Sequence, residues 1–183
     1  GFIPPHGGYQ NLMSYQMAEI VYDATVYFCD KYISKFSRTH DQMVQAARSG
    51  KQNIAEGSMA SGTSKETEIK LMGVARASLE ELLLDYKDYL RTNKLTLWGK
   101  DDPRAIQIRA LGKLKNRTFL TYKSYIESFN PEVSVNTIIC LIHQTNYLLD
   151  QQIRKLEEQF IKEGGIRENM QKVRLNERKK SNE

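Results

Sequence analysis

The stretch Asp41–Ser78, DQMVQAARSGKQNIAEGSMASGTSKETEIKLMGVARAS, decides the fold. Met43, Ala46, Ala47, Gly50, Ile54 and Gly57 recur at helical spacing, so apolar and small side chains share one side of a helix from about His40 to Met59. Small residues there let a neighbouring backbone come close. Gly50 in a helix interior costs about 1 kcal/mol relative to alanine, and close packing is the reading that compensates for it. Thr39 and Gln42 are spaced as a capping box at the start of this helix. Gly57 to Gly62 forms a turn, and Thr63 with Glu66 makes a second box opening a helix to about Arg91. Its inner stripe is Ile69, Met72, Leu79, Leu83, Tyr86 and Leu90, widened by Leu82 and Tyr89. Neither SGKQN nor AEGSMASGTSK has the spacing of a phosphate-binding loop or a strand before it.

Outward from this hairpin the helical period continues. A first helix is expected over roughly Asn11–Phe36, with Met17, Ile20, Val21, Ala24, Tyr27, Phe28 and Tyr32 inward. Val26 and Ile33 widen its apolar arc enough for a core face plus a subunit contact. Asp102 and Pro103 are an N-cap and N1 proline, opening a fourth helix to about Phe129. Pro131 opens a fifth, to about Glu163, whose Ile138, Ile142, Thr145, Leu149, Ile153, Leu156 and Phe160 form a nearly heptad seam beside a second ridge of Leu141 and Leu148. Gly164 and Gly165 end it. The remainder carries Ile166, Met170 and Val173 and then RLNERKK, read as a frayed basic tail. The expectation is an all-α chain with one helical domain over 9–163 and a basic tail over 164–183.

At 183 residues and 40% apolar composition, the chain is long enough to build one hydrophobic core. Cys29 and Cys140 stand alone in apolar helical patterns, without CxxC spacing, which predicts small buried thiols and a reducing cytoplasm. No apolar run approaches the ~20 residues of a membrane span, and FIPPHGG lacks the basic-then-apolar order of a secretory signal. His6, His40 and His143 are too scattered for a metal cluster or a Ser/His/Asp arrangement. No catalytic set, metal or cofactor is expected.

Two polar constellations remain. Arg76 lies in the middle of an inward stripe, and a buried arginine needs a carboxylate, for which Glu56 is the candidate; Asn53 projects near the same edge. Asn53, Glu56 and Arg76 are read as a structural network fixing helix register, with a ligand site as the alternative. Between Arg104 and Lys123 there are six bases and no acid. Arg109, Lys113 and Arg117 recur every fourth residue and would line one helix face opposite Ile108, Leu111, Leu114, Tyr122, Tyr125 and Ile126. Such a stripe, with Lys123 and the tail residues Arg174, Arg178, Lys179 and Lys180, fits phosphate binding, because neutralised phosphates release condensed counterions. It equally fits a solubilising outer face.

The stretch DQMVQAARSGKQNIAEGS followed by TSKETEIKLMGVARASLEELLLDYKDYL resembles the bacterial 23S rRNA intervening-sequence protein family, through Arg48, Asn53, Glu56, Gly57, Arg76, Ser78 and Glu80 in the expected order. The resemblance covers about Tyr15 to Leu90. FIKEGGIRENMQKVR, residues 160–174, is similar to the suffix of a longer branch of these four-helix-bundle proteins, and the helix from Pro103 to Asn130 departs from the short members. The resemblance implies an antiparallel four-helix bundle, here with an additional helix and a short C-terminal helical tail, assembling as a ring-like homo-oligomer, often a pentamer, with a role near RNA. Two functions follow: a non-enzymatic adaptor that binds structured RNA or DNA without reading bases, or a homo-oligomeric or protein-partner scaffold with no nucleic-acid role.

Overall fold

The computed structural model describes residues 3–181, and among these the regular structure is entirely helical. After a 3-10 turn at Tyr9–Asn11 come α1 (Met13–Tyr32), α2 (Arg38–Ala60), α3 (Lys65–Thr92), α4 (Pro103–Leu111), α5 (Phe119–Ile126), α6 (Pro131–Glu163) and α7 (Ile166–Lys180). The chain is all-α, a helical bundle with extra helices.

Serines, not the expected threonines, open the central hairpin. Ser37 Oγ accepts from the Thr39 amide at the start of α2, and Ser64 Oγ accepts from the Thr67 amide at the start of α3. Thr39 is already helical, and Thr63 instead donates its hydroxyl to the Ala60 carbonyl within the turn. Both serines do the same physical task, satisfying an orphaned first-turn amide, one or two residues from where the box spacing put it. Asp102 caps α4 as expected, its carboxylate accepting from the Arg104 amide, and Asn130 caps α6 through the Glu132 amide; each precedes an N1 proline. Gly164 ends α6 with φ 72°, in the left-handed region where glycine carries no Cβ penalty.

Helices α1, α2, α3 and α6 pack in a cycle, each against the next, and α6 closes against α1. As α3 runs from Met72 to Leu90, α6 runs oppositely: Arg76 meets Asp150 near one end and Trp98, just past α3, meets Asn136 near the other. α1 is likewise antiparallel to α6, with Ser14 bonded to Gln152 and Tyr32 to the Ser128 carbonyl. The four therefore alternate up and down. All six small or apolar residues of the α2 stripe are buried, as are Met17, Ile20, Val21, Ala24 and Phe28 of α1, Met72, Leu79, Leu83, Tyr86 and Leu90 of α3, and Ile138, Ile142 and Leu149 of α6. Across the interior Tyr86 donates to Thr25 Oγ1 at 2.8 Å, so its buried hydroxyl is not left unpaired.

The single helix expected from Pro103 to Phe129 is two. α4 ends at Leu111, residues 112–118 are irregular, and α5 begins after Thr118, whose amide is held by Thr121 Oγ1. Gly112 is the C-cap of α4, where a Cβ would lie 2.8 Å from Gln144 Oε1 of α6, the movable end of that side chain. Both short helices lie on α6, and α5 also reaches α1. The C-terminal tail is helical over Ile166–Lys180, in line with the expected helical tail, and its basic end RLNERKK continues the helix rather than fraying; Asn182 and Glu183 of the tail lie outside the described residues. No helix is long and apolar enough to cross a membrane.

Candidate nucleic-acid interface and basic pocket

The basic residues fall into two places. Arg109 is near the end of α4 and donates to the Lys100 carbonyl, Lys113 is exposed on the α4–α5 loop, and Arg117, at the far end of that loop, is only 7% exposed. Arg117 therefore does not share an outer helix face with the other two. Its Nε points at Met17 Sδ, 2.9 Å away, and its Nη1 donates to the Leu114 carbonyl at 3.3 Å. A thioether is a weak acceptor, so this guanidinium is poorly satisfied by the groups around it. Unwinding after Leu111 folds the three cations around a pocket of about 390 Å³ between α1, the α4–α5 loop and α6. Met13, Met17 and Leu148 supply apolar wall, and no carboxylate lines it. Lys123 stands apart on α5, exposed and 4.0 Å from Glu127.

Helix α7 is the second place. It holds six bases, Arg167, Lys172, Arg174, Arg178, Lys179 and Lys180, against two acids, Glu168 and Glu177, in a chain whose formal net charge is only +5. Most of the surplus positive charge is thus on one helix. At 100° per residue Arg167, Arg174 and Arg178 share a face, and Ile166, Met170 and Val173 form the adjoining edge. None of its residues is buried. Glu168 reaches back to accept the Gly165 amide at 2.8 Å, which fixes the start of the helix.

The expected network separates into two. Arg76 Nε bonds Asp150 of α6 at 2.9 Å and its Nη1 bonds Glu80 one turn along α3 at 2.9 Å, while Glu56 is exposed and takes no part. Geometry selects these partners: Glu80 is at i+4 and Asp150 faces Arg76 across the antiparallel α3–α6 contact. Asn53 Nδ2 donates to the Ser49 carbonyl and hydroxyl, and the Ser49 hydroxyl bonds that of Ser78 across α2 and α3 at 2.8 Å. Both sets join helices; neither lies in the basic pocket.

Asn136 carries structural work that periodicity did not single out. Its Oδ1 accepts the Trp98 amide and its Nδ2 donates to the Thr96 and Glu132 carbonyls, all within 2.9 Å, tying the irregular 93–102 segment to α6. An asparagine within an otherwise apolar run, VSVNTIICLI, was the available signal. Cys29 and Cys140 are free thiols. Burial, reinforced by Asp30 and Asp85, pushes Cys29 up to about 12, and burial also raises Cys140, against the opposing pull of Arg109. His143, beside the pocket, is held below its ordinary value by desolvation and by Lys87 and Arg76, against Glu80. Among the described residues no three His, Cys, Asp or Glu side chains come together as a metal site. No family model, curated protein or solved structure matches the chain.

Proposed function

We propose that this chain is a non-enzymatic, self-associating helical-bundle protein of the cytoplasm that binds structured RNA or DNA through phosphate contacts. On this reading it is a longer relative of the intervening-sequence proteins. The observation that carries the proposal is α7: a helix with no buried residue and six bases, three arginines of which share one face. Such a helix makes sequence-independent contacts, because phosphate neutralisation supplies affinity while base edges are not read. Lys123 extends the same positive character to the bundle surface.

Fluorescence anisotropy with a hairpin RNA and a duplex DNA over a salt series tests it. Both ligands should bind at low salt, with affinity falling linearly in log–log coordinates. Replacing Arg167, Arg174 and Arg178 by glutamate should flatten that slope by ~3, about one per lost phosphate contact. Unchanged affinity in the triple variant would remove α7 as the interface.

Self-association has its own support. The outward face of α3 carries Gly73, Val74, Ala77 and Leu84, with Val74 and Leu84 about half exposed, interleaved with Lys70, Glu81 and Asp88. Small and apolar residues interleaved with charges of both signs suit a self-complementary contact with a second copy of the chain. The pentameric ring is the arrangement the resemblance favours.

A further inference from the structure

Arg117 is an unusual cation. It is 7% exposed, and among the described residues no carboxylate lies within 4 Å of it, of Arg109 or of Lys113. Burying a charge without a counter-ion is strongly unfavourable, so a fold that retains one at the wall of a pocket has a reason to do so. The cavity's volume of about 390 Å³ falls in the ~300–1,000 Å³ range of small-molecule sites, and most of its wall is apolar.

We propose that this pocket binds a small amphiphilic anion, its head group paired with Arg117 and reached by Arg109 and Lys113, and its apolar body lying along Met17 and Leu148. The charge complementarity is one-sided, with three cations and no acid in the lining, so a neutral ligand of the same shape leaves the guanidinium unpaired. An apolar body suits the site because Met13, Met17 and Leu148 form a hydrogen-bond-free part of the lining, beside the polar groups of His143, Gln144 and Tyr147. Arg117 is the better head-group partner, since its planar fork matches a carboxylate or phosphate in two parallel bonds and its burial shields the pair from salt. This site is separate from α7, so it stands or falls independently of nucleic-acid binding.

Calorimetric titration of the full chain with octanoate, decanoate and decanol at neutral pH tests the assignment. Decanoate should bind one to one and exceed decanol by at least tenfold, and each methylene between octanoate and decanoate should tighten binding by about fourfold. Arg117→Met should reduce decanoate affinity at least tenfold. Met13→Glu, at a half-exposed rim position that the fold does not depend on, should do the same by repelling the head group, which keeps the test open if the Arg117 variant fails to fold. Cys140 reports from the same wall: saturating decanoate should slow its alkylation, with Cys29 unaffected. Decanol binding as tightly as decanoate, no heat with either carboxylate, or affinity unchanged in Met13→Glu would overturn the proposal. So would a trinucleotide that binds in an Arg117-dependent manner while decanoate does not.

Discussion

At Gly50, α2 approaches α3 so closely that a Cβ would sit 2.8 Å from Cγ and Cδ2 of the fully buried Leu79. Gly50→Ala gains about 1 kcal/mol of helix propensity but must displace a core side chain, an overpacking cost of about 1–3 kcal/mol. The expected outcome is a net loss of about 1 kcal/mol in denaturant titration, recovered when Leu79→Val makes room. Glu68 makes the corresponding electrostatic case. Burial lifts its carboxyl above the ordinary 4.5, outweighing the opposing pull of Lys65. The folded chain therefore holds that proton more tightly than the unfolded one, so this group's contribution is full below 4.5 and is lost as pH rises through its folded value. Glu68→Gln should melt higher than the parent at neutral pH, with the difference vanishing below pH 4.5 in a thermal-shift series.

At the scale of elements, α1, α2, α3 and α6 were legible because each is long enough for its period to average out single exceptions. The two short helices were not. Arg109, Lys113 and Arg117 at every fourth residue and the apolar set Ile108, Leu111 and Leu114 make residues 104–129 look continuous, yet Leu114 is half exposed and Gly112 sits against Gln144 of α6, a contact no local pattern contains. Spacing alone puts Arg117 on the surface for the same reason: it counts residues along a helix that stops before reaching it. The partners of Arg76 were half legible. Its need for a carboxylate followed from its position, whereas Asp150 comes from a helix 74 residues away and only the bundle's closure identifies it. For α7, the short apolar pattern and the charge were visible, but its capped start, set by Glu168 and Gly165, was not recognised. Because none of α7's own residues is buried, ending the chain after Gly164 should leave the melting temperature within about 2 °C of the parent while abolishing most of the salt-dependent nucleic-acid binding. A much larger fall in melting temperature would show that α7 supports the bundle.

At the scale of the molecule, the outward face of α3 predicts that light scattering will give a mass several times 21.2 kDa. Val74→Glu with Leu84→Glu should return a folded monomer, since both side chains are about half exposed in the isolated chain and the substitutions leave its core untouched. A monomeric parent would count against assembly through this face. The connection between α3 and α6 has a kinetic consequence. α1, α2 and α3 meet through short turns, so their contacts close small loops and should form early, whereas α6 can join α3 only by closing the much longer loop Asn93–Asn130. Asn136, which fastens that segment, therefore belongs to the late side of the barrier: its truncation should accelerate unfolding far more than it slows refolding.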